Sequence, residues 1–328
     1  MTGSVDTATA PLWQRQRRLP DFFIVGHPKG GTTALYEMLR RHPQIYMPDL
    51  KEPWFFVPEF WPSAPLSRRH PNTLDEYLSL FEAATPGQRI GEATPSYLRS
   101  HTAATRIAEV QPAARIIAIL REPASFLCSL HLQLLRTDVE TEPDLRKAID
   151  LEERRRRGDA LPRYSTRPQA LRYSEHLEYV EQLRRYHAVF PPEQVRVIIY
   201  DDFRRDPEAT VRTILRFLEV DDTAPLAVIE ANHAVRLRSP HLSEVVRSLY
   251  LGRGPVARPV KAAIKALTPR RLRHDAIAIQ RRMQLSKPRP PDEELMLELR
   301  RRFKGEVIAL SEYLDRDLVS LWGYDGVD

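Results

Sequence analysis

Residues 21–42 read DFFIVGHPKGGTTALYEMLRRH, which predicts a strand, a turn and a helix in succession. The first six residues are a short, nearly continuous apolar run rich in aromatic and β-branched side chains, which predicts a buried strand. The segment ALYEMLRRH has the apolar spacing of an amphipathic helix, and Pro43 predicts the point where that helix ends. The glycine-rich turn HPKGGTT therefore joins a strand to a helix.

Two further apolar runs predict buried strands, at 114–120 and 194–200. The first meets the turn Arg121-Glu122-Pro123 and then a helical pattern, and the second lies between two helical patterns. Buried strands separated by helices predict an α/β fold, a central parallel sheet flanked by helices in a single domain. Ligands bind beyond the carboxyl ends of the strands in such sheets. Both polar turns lie at such ends.

Length and composition limit the protein class. The chain has 328 residues, 42% of them hydrophobic, enough for a sizeable core. Its one cysteine, Cys128, stands in an apolar run, which favours a core residue over a nucleophile. No apolar run approaches the ~20 residues that span a bilayer, and the N-terminus lacks the apolar part of a signal peptide. We expect a cytoplasmic protein with a flexible tail at 1–20 and one domain at 21–328.

The charge distribution leaves several alternatives open. A net charge of +6 suits an anionic ligand, but it also suits a solvated cationic surface. The highly charged stretch 140–167 favours a solvated helix face or loop over a ligand site. The basic stretch 253–289, an apparent insertion interleaved with apolar residues, is compatible with a peripheral membrane contact, an acidic acceptor or an ordinary helix pair.

The glycine turn carries the strongest chemical signal. Two glycines let backbone N–H groups approach a phosphate closely, and the helix dipole favours the anion. Lys29 supplies a mobile positive charge, and Thr32 and Thr33 supply hydroxyl donors. An ordinary ATPase loop places Gly-Lys-Ser/Thr after its first glycine and four further residues, whereas Lys29 precedes the glycine pair here. This order argues against ATP hydrolysis.

Two motifs resemble the PAPS-dependent sulfotransferases, which use 3′-phosphoadenosine-5′-phosphosulfate (PAPS). GHPKGGTTAL is similar to their 5′-phosphosulfate loop, and LREPASFLCSLH is similar to the family segment that grips the 3′-phosphate. The resemblance assigns the 3′-phosphate to Arg121 and, eight positions later, Ser129, whose guanidinium and hydroxyl suit a phosphate. The cofactor-binding residues that it implies in the loop are Lys29, Gly30, Gly31, Thr32, Thr33 and Ala34.

Two further segments resemble the carbohydrate branch of this family, which includes the heparan sulfate sulfotransferases. KEPWFF is similar to a segment whose Glu is the proposed general base, and Glu52 occupies that position. The alternative for Glu52 is a surface carboxylate paired with Lys51. GEATPSYL matches a fourth segment, where Glu92 is a candidate catalytic residue; Ala93 replaces the Lys of some relatives, which removes one possible catalytic cation.

A weaker resemblance continues through the segments FPPEQVRVIIYDDF and FLEVDD and a C-terminal helical segment that ends in Trp322, so it covers most of residues 20–325. Family members often close a late basic loop over the adenosine, and Arg236 and Arg238 are the candidates here. The Lys-Thr-His segment of the phenol and steroid sulfotransferases is absent. We expect a structural role for His131, which stands two positions after Ser129. For His27, inside the glycine turn, a ligand contact and a structural role are equally compatible with the sequence.

The sequence thus predicts a P-loop-like sulfotransferase with Glu52, Lys29 and Glu92 as catalytic residues. It would transfer a sulfuryl group from PAPS to a hydroxyl or amine of a carbohydrate, glycolipid or natural product, leaving adenosine 3′,5′-bisphosphate. We expect no metal, no nucleic acid and no transmembrane segment. The alternatives are an ATP/Mg²⁺ phosphotransferase and a non-catalytic nucleotide-binding protein. Acceptor identity and oligomeric state stay open.

Overall fold

The structure is a computed structural model. It describes residues 18–60, 70–163, 165, 167–227, 236–237, 285–286 and 292–327. The predicted tail at 1–20 and the basic stretch at 253–289 therefore lie almost entirely outside the described residues. Arg238 also lies outside them, and Arg236 is described by its backbone alone.

A parallel sheet of five strands has the order β2-β3-β1-β4-β5. Residues 22–26 form its central strand, between β3, which pairs Phe22 with Gly91, and β4, which pairs Phe22 with Arg115. The sheet strands are β1 (Phe22–Gly26), β2 (Ile45–Tyr46), β3 (Arg89–Ala93), β4 (Arg115–Leu120) and β5 (Val195–Ile199). A separate antiparallel pair joins β6 (Arg236–Leu237) to β7 (Leu285–Ser286).

Helices lie between consecutive strands of the sheet and after β5. Those described are α1 (Thr32–Arg40), α2 (Leu74–Ser79), α3 (Ala103–Val110), α4 (Pro123–Arg136), α5 (Leu145–Asp150), α6 (Glu152–Arg156), α7 (Tyr179–His187), α8 (Tyr200–Arg205), α9 (Pro207–Phe217), α10 (Glu293–Leu314) and α11 (Leu318–Trp322). Short 3₁₀ turns lie at Pro58–Phe60, Pro168–Leu171, Ser174–His176 and Pro192–Gln194. Within the described residues, no helix has the length and apolar character that crossing a membrane requires.

The core explains why the first strand and helix form. Alternate β1 residues Phe22 and Ile24 join a buried cluster with Leu35 and Leu39 of α1. Ile214 of α9 belongs to the same cluster, so α1 and α9 cover one face of the sheet. Burying a side chain of this size contributes ~1.5–3 kcal/mol. The predicted fold, a parallel sheet flanked by helices, is confirmed.

The described residues fall into two compact units. The first contains 18–122 and 178–227, with the whole five-stranded sheet. The second contains 123–177 and 292–327, with β6 and β7. The single-domain prediction is not tested by this division and stays a prediction.

The second unit corrects one expectation from the charged stretch 140–167. A bidentate ion pair joins Arg155 Nη1 and Nη2 to Glu140 Oε2 and Oε1, at 2.7 and 2.8 Å. Both side chains are almost completely buried, and Tyr173 Oη also donates to Glu140. A solvated face was therefore wrong for these residues, because burial here is compensated by charge-assisted hydrogen bonds that a sequence pattern does not reveal.

Candidate active site

The glycine turn follows β1 at the carboxyl edge of the sheet. Lys29 and Gly31 both adopt left-handed backbone conformations, with φ of 64° and 87°. A Cβ at Gly31 would lie 3.0 Å from ring atoms of Phe203, so both the backbone and the space require glycine there. Gly31 is the N-cap of α1 and has no side chain, so no capping side chain accepts a hydrogen bond from the first N–H groups of the helix.

The remaining loop residues divide between core and surface. Thr32 and Ala34 are buried in the first turn of α1, whereas Thr33 is exposed and Lys29 is half-buried. A buried hydroxyl, an exposed hydroxyl and a positive charge thus surround a helix N-terminus. This donor set fits the oxygens of a phosphosulfate group.

Arg121 stands at the end of β4, the strand next to β1. Its Nη1 donates to the backbone oxygen of Lys29 at 3.0 Å, and its guanidinium lies over the Tyr200 ring, 4.9 Å from the centroid. Tyr179 Oη donates to the Arg121 carbonyl at 2.9 Å. A guanidinium has five N–H donors, so the bond to the loop leaves capacity for an anion. The structure therefore brings Lys29 and Arg121 together.

Ser129 lies on α4, eight residues after Arg121 and half-buried, in the second compact unit. Its role beside Arg121 stays a prediction. The same holds for Arg236, whose backbone lies in β6 of that unit.

Glu52 lies on a strained segment beside β3. Glu52 and Trp54 have φ of 61° and 59°, in the left-handed region that costs a non-glycine residue ~1–2 kcal/mol. Glu52 N donates to Ala93 O at 3.0 Å, which ties the segment to the end of β3. The Glu52 carboxylate is 41% exposed and accepts from Lys51 Nζ at 2.8 Å and from Trp54 Nε1 at 3.4 Å. The pairing with Lys51 is thus present, and the carboxylate is still accessible.

Glu92 is the most enclosed of the predicted site residues, with no exposed surface. Three hydroxyls donate to its carboxylate: Tyr77 Oη at 2.8 Å and Tyr97 Oη at 3.0 Å to Oε2, and Thr94 Oγ1 at 2.5 Å to Oε1. Burial raises the pKa of Glu92 to about 7, the three hydrogen bonds oppose this rise, and the charge of Glu52 adds to it. The carboxylate therefore senses Glu52 but is enclosed by protein groups.

His27 begins the turn and is buried. Its Nε2 lies 2.8 Å from Gln182 Oε1, and its ring meets the edge of Tyr179 at 5.0 Å between centroids. Burial lowers the pKa of His27 to about 4, against the hydrogen bond to Gln182 and with the Arg99 charge acting in the same direction as burial. The imidazole is neutral at pH 7, which fits a structural contact beneath the turn.

Sequence reasoning missed the roles of four tyrosines in this region. Tyr97 lies inside the GEATPSYL segment, so its window was recognised without its contact. Tyr77 is distant along the chain from Glu92, and Tyr179 and Tyr200 are distant from Arg121, so the sequence alone does not show that they contact these residues.

Comparison with known proteins decides the family. A model described as "Sulfotransferase family" matches residues 20–224, which is more than half of the chain. This chain belongs to the sulfotransferase family. The prediction of the family from the sequence is confirmed, and the match spans the glycine turn, Glu52, Glu92, Arg121 and Ser129.

Individual sulfotransferases give the same answer. Mouse heparan sulfate glucosamine 3-O-sulfotransferase 3A1 is 29% identical over 207 residues, 63% of this chain and 47% of the relative. Human heparan sulfate glucosamine 3-O-sulfotransferase 6 is 36% identical over 120 residues, 37% of this chain and 32% of the relative. The matches thus span less than half of these curated relatives. A crystal structure of a sulfotransferase from Alicyclobacillus acidocaldarius is 28% identical with a TM-score of 0.58, covering 78% of this chain and 99% of that one.

Proposed function

We propose that this member of the sulfotransferase family transfers the sulfuryl group of PAPS to a hydroxyl or amine of its acceptor. The observation that carries the proposal is the meeting of Lys29 and Arg121 at the carboxyl ends of the neighbouring strands β1 and β4. Two cations and a helix N-terminus at one sheet edge suit a ligand with separate anionic groups.

The donor fits the residues of the first unit. Lys29, the N–H groups of Gly30 and Gly31, and the hydroxyls of Thr32 and Thr33 would hold the 5′-phosphosulfate. Arg121 would bind the 3′-phosphate, with Ser129 added through the family resemblance. Ala34 would contribute backbone alone, as the third residue of α1. Arg236 and Arg238 are proposed only as contacts to the adenosine.

The chemistry of the chain's own residues follows from charge. When bound, PAPS supplies the sulfuryl group and a phosphate leaving group. Lys29 and the loop N–H groups are placed to stabilise negative charge at the 5′-phosphate, which is preorganised electrostatic catalysis. Glu52, exposed and tied to Ala93 O, is placed to take the proton of the acceptor. No step of this scheme requires a metal.

The acceptor class is proposed from the relatives. The named curated relatives are heparan sulfate glucosamine 3-O-sulfotransferases, which favours a carbohydrate hydroxyl, with a glycolipid or natural product as further acceptors of the same chemistry. Ala93 stands where some relatives carry a lysine, so acceptor or leaving-group contacts differ here. A cytoplasmic location, the lack of a nucleic acid partner and a peripheral membrane contact stay predictions.

Binding of adenosine nucleotides tests the donor site. We expect adenosine 3′,5′-bisphosphate to bind more tightly than adenosine 5′-monophosphate or ATP, measured by calorimetry. Arg121→Ala should lower affinity for the bisphosphate by ~10–100-fold, because a charge-assisted hydrogen bond contributes ~1.5–3 kcal/mol. Affinity for the monophosphate should change much less.

Arg115→Ala is the matched control. Arg115 lies at the amino end of the same strand and is bound to Phe217 O and Glu219, so its loss should leave both affinities unchanged. Equal losses for both nucleotides in Arg121→Ala would refute the 3′-phosphate role. Preferential binding of ATP would favour a phosphotransferase instead.

A further inference from the structure

Glu92 is the centre of a hydrogen-bond network that the transfer reaction as derived does not use. Its carboxylate is fully buried on β3, and all three of its hydroxyl partners belong to the same compact unit. Burying a carboxylate costs several kcal/mol unless it is fully hydrogen-bonded, so a buried glutamate with three hydroxyl partners indicates a role beyond packing.

One branch of the network leads directly to the Glu52 segment. Tyr97 Oη donates to Glu92 Oε2 at 3.0 Å and accepts from Phe56 N at 3.4 Å. The carboxylate thus fixes the direction of the phenol O–H, and the phenol oxygen holds the backbone four residues after Glu52. At the other end of this segment, Glu52 N is bound to Ala93 O, the residue after Glu92.

A second branch reaches the same segment through aromatic rings. Tyr77 Oη donates to Glu92 Oε2 at 2.8 Å, and the Tyr77 ring stacks on Phe55 at 4.5 Å between centroids. Phe56 meets the Tyr77 and Tyr97 rings edge-on, at 5.3 and 5.8 Å. Such pairs contribute ~0.5–1.5 kcal/mol beyond the area that they bury.

The backbone of the segment explains why it needs support. Glu52 and Trp54 both have positive φ, a conformation that persists only where surrounding contacts determine it. The bonds at Glu52 N and Phe56 N enclose these two residues, and both bonds end on β3 or on a partner of Glu92. The two strained residues therefore lie between two anchoring hydrogen bonds, one to Ala93 at the end of β3 and one to Tyr97.

We propose that Glu92 is a positioning residue, which holds the strained Glu52–Phe56 segment through Tyr97 and so keeps the Glu52 carboxylate at the acceptor. This role rests on the proposed function, since it serves Glu52 as the base. A positioning role takes the place of the catalytic role predicted for Glu92 from the sequence, because its carboxylate has no exposed surface with which to contact the reacting groups.

The protonation state of Glu92 sets the strength of this hold. The ionised carboxylate accepts from all three hydroxyls, whereas the acid turns one oxygen into a donor and displaces one of them. The titratable groups that face Glu92 are Tyr77 of α2, Tyr97, Glu52 and Tyr186 of α7. The three tyrosines are neutral at pH 7, since burial raises each of their pKa values. We expect kcat to rise as Glu92 ionises.

Amide hydrogen exchange of the protein without ligands tests whether Glu92 and Tyr97 hold the Phe56 backbone. Glu92→Gln should speed exchange of the Phe56 amide at least about tenfold, while amides of α9 remain as in wild type. Tyr97→Phe should reproduce this effect, and it keeps the experiment decisive if Glu92→Gln does not fold.

Tyr77→Phe is the matched control for Tyr97→Phe. Each change removes one phenol hydroxyl from the same oxygen of Glu92, but only Tyr97 contacts the Phe56 amide. The Phe56 amide should exchange as slowly in Tyr77→Phe as in wild type. Equal acceleration in both variants, or none in Glu92→Gln and Tyr97→Phe, would overturn the proposal.

Kinetics supply the second readout. Glu92→Gln should lower kcat about tenfold with KM for PAPS within about twofold of wild type, and it should remove the rise of kcat through pH 7. A retained rise at that pH would overturn the positioning role. The exchange result needs no donor or acceptor, so accelerated exchange in a protein without sulfuryl transfer would refute the proposed function alone.

Discussion

Replacing Glu92 by glutamine should remove a pH dependence from the stability of the protein. Glutamine keeps the size of the side chain and an acceptor for Thr94, but it cannot ionise. In wild type, burial first, with the Glu52 charge in addition, raises the pKa of Glu92 from 4.5 to about 7. The native state therefore retains a proton that the unfolded chain releases between these two pH values.

The sign and size of the effect follow from this difference. Between pH 4.5 and about 7 the native state binds more protons than the unfolded state at this position, so the free energy of unfolding falls as pH rises. One pKa unit corresponds to about 1.4 kcal/mol, which gives a loss of about 3 kcal/mol across the window. Complete burial means that solvent screening does not reduce this value.

Urea unfolding of wild type and Glu92→Gln at pH 4.5 and pH 8 measures this pH-dependent loss of stability. The stability of Glu92→Gln minus that of wild type should increase by about 3 kcal/mol from the lower to the higher pH. Other titrating groups are common to both proteins and cancel in the difference. A difference that stays constant with pH would refute the raised pKa. A variant that is more stable yet slower at pH 8 would show a residue kept for function at the expense of stability.

Four other changes have defined outcomes. Lys29→Ala should lower turnover by ~10²–10³-fold in a transfer assay while leaving the melting temperature unchanged, because it removes a donor to developing charge. Gly31→Ala should lower the free energy of unfolding in urea by at least ~1–2 kcal/mol, since φ is 87° and the new Cβ would crowd Phe203. Burial lowers the pKa of His27 to about 4, so the free energy of unfolding of wild type minus that of His27→Gln, measured in urea, should fall by about 3 kcal/mol as pH falls from 6.5 to 4. Arg155→Met should cost ~3–5 kcal/mol in urea because it leaves Glu140 buried without its cation; a loss below ~1 kcal/mol would contradict this.

The sequence predicted the elements that have regular patterns. The strand before the glycine turn, the strand before Arg121 and the strand before Tyr200 were each marked by an apolar run. The first two runs are buried on a parallel sheet, as expected. The third forms the edge strand β5, in which only Ile198 and Ile199 are buried and Arg196 is exposed, so burial along its whole length was wrong.

β3 was missed because its sequence, RIGEA, is short and contains a glycine and two charged residues. Its glycine lies where a Cβ would overlap the Phe22 ring, and its Glu92 is compensated by hydroxyls from other segments. These reasons depend on tertiary contacts. The same is true of Glu140 and Arg155, whose burial depends on their pairing with each other.

The candidate site was predictable where motif and local geometry coincide. Lys29, Gly31 and Arg121 stand at strand ends, and strand ends of a parallel sheet meet at one edge. The link from Glu92 to Phe56 was not predictable, because it passes through a tyrosine hydroxyl and a backbone amide. Acceptor recognition depends on side-chain placement in the same way, and no short motif encodes it.

Transfer of radiolabelled sulfuryl from PAPS to a panel of sugar, glycolipid and small-molecule acceptors, measured for wild type and Glu52→Gln, tests both the proposed reaction and the role of Glu52. Wild type should label a hydroxyl or amine acceptor and release adenosine 3′,5′-bisphosphate only when that acceptor is present. Glu52→Gln should bind the bisphosphate as wild type does but turn over ~10²–10⁴-fold more slowly, as expected for loss of a general base. Near-wild-type turnover in Glu52→Gln would contradict the role of Glu52 as general base, and no labelling of any acceptor by wild type would contradict sulfuryl transfer.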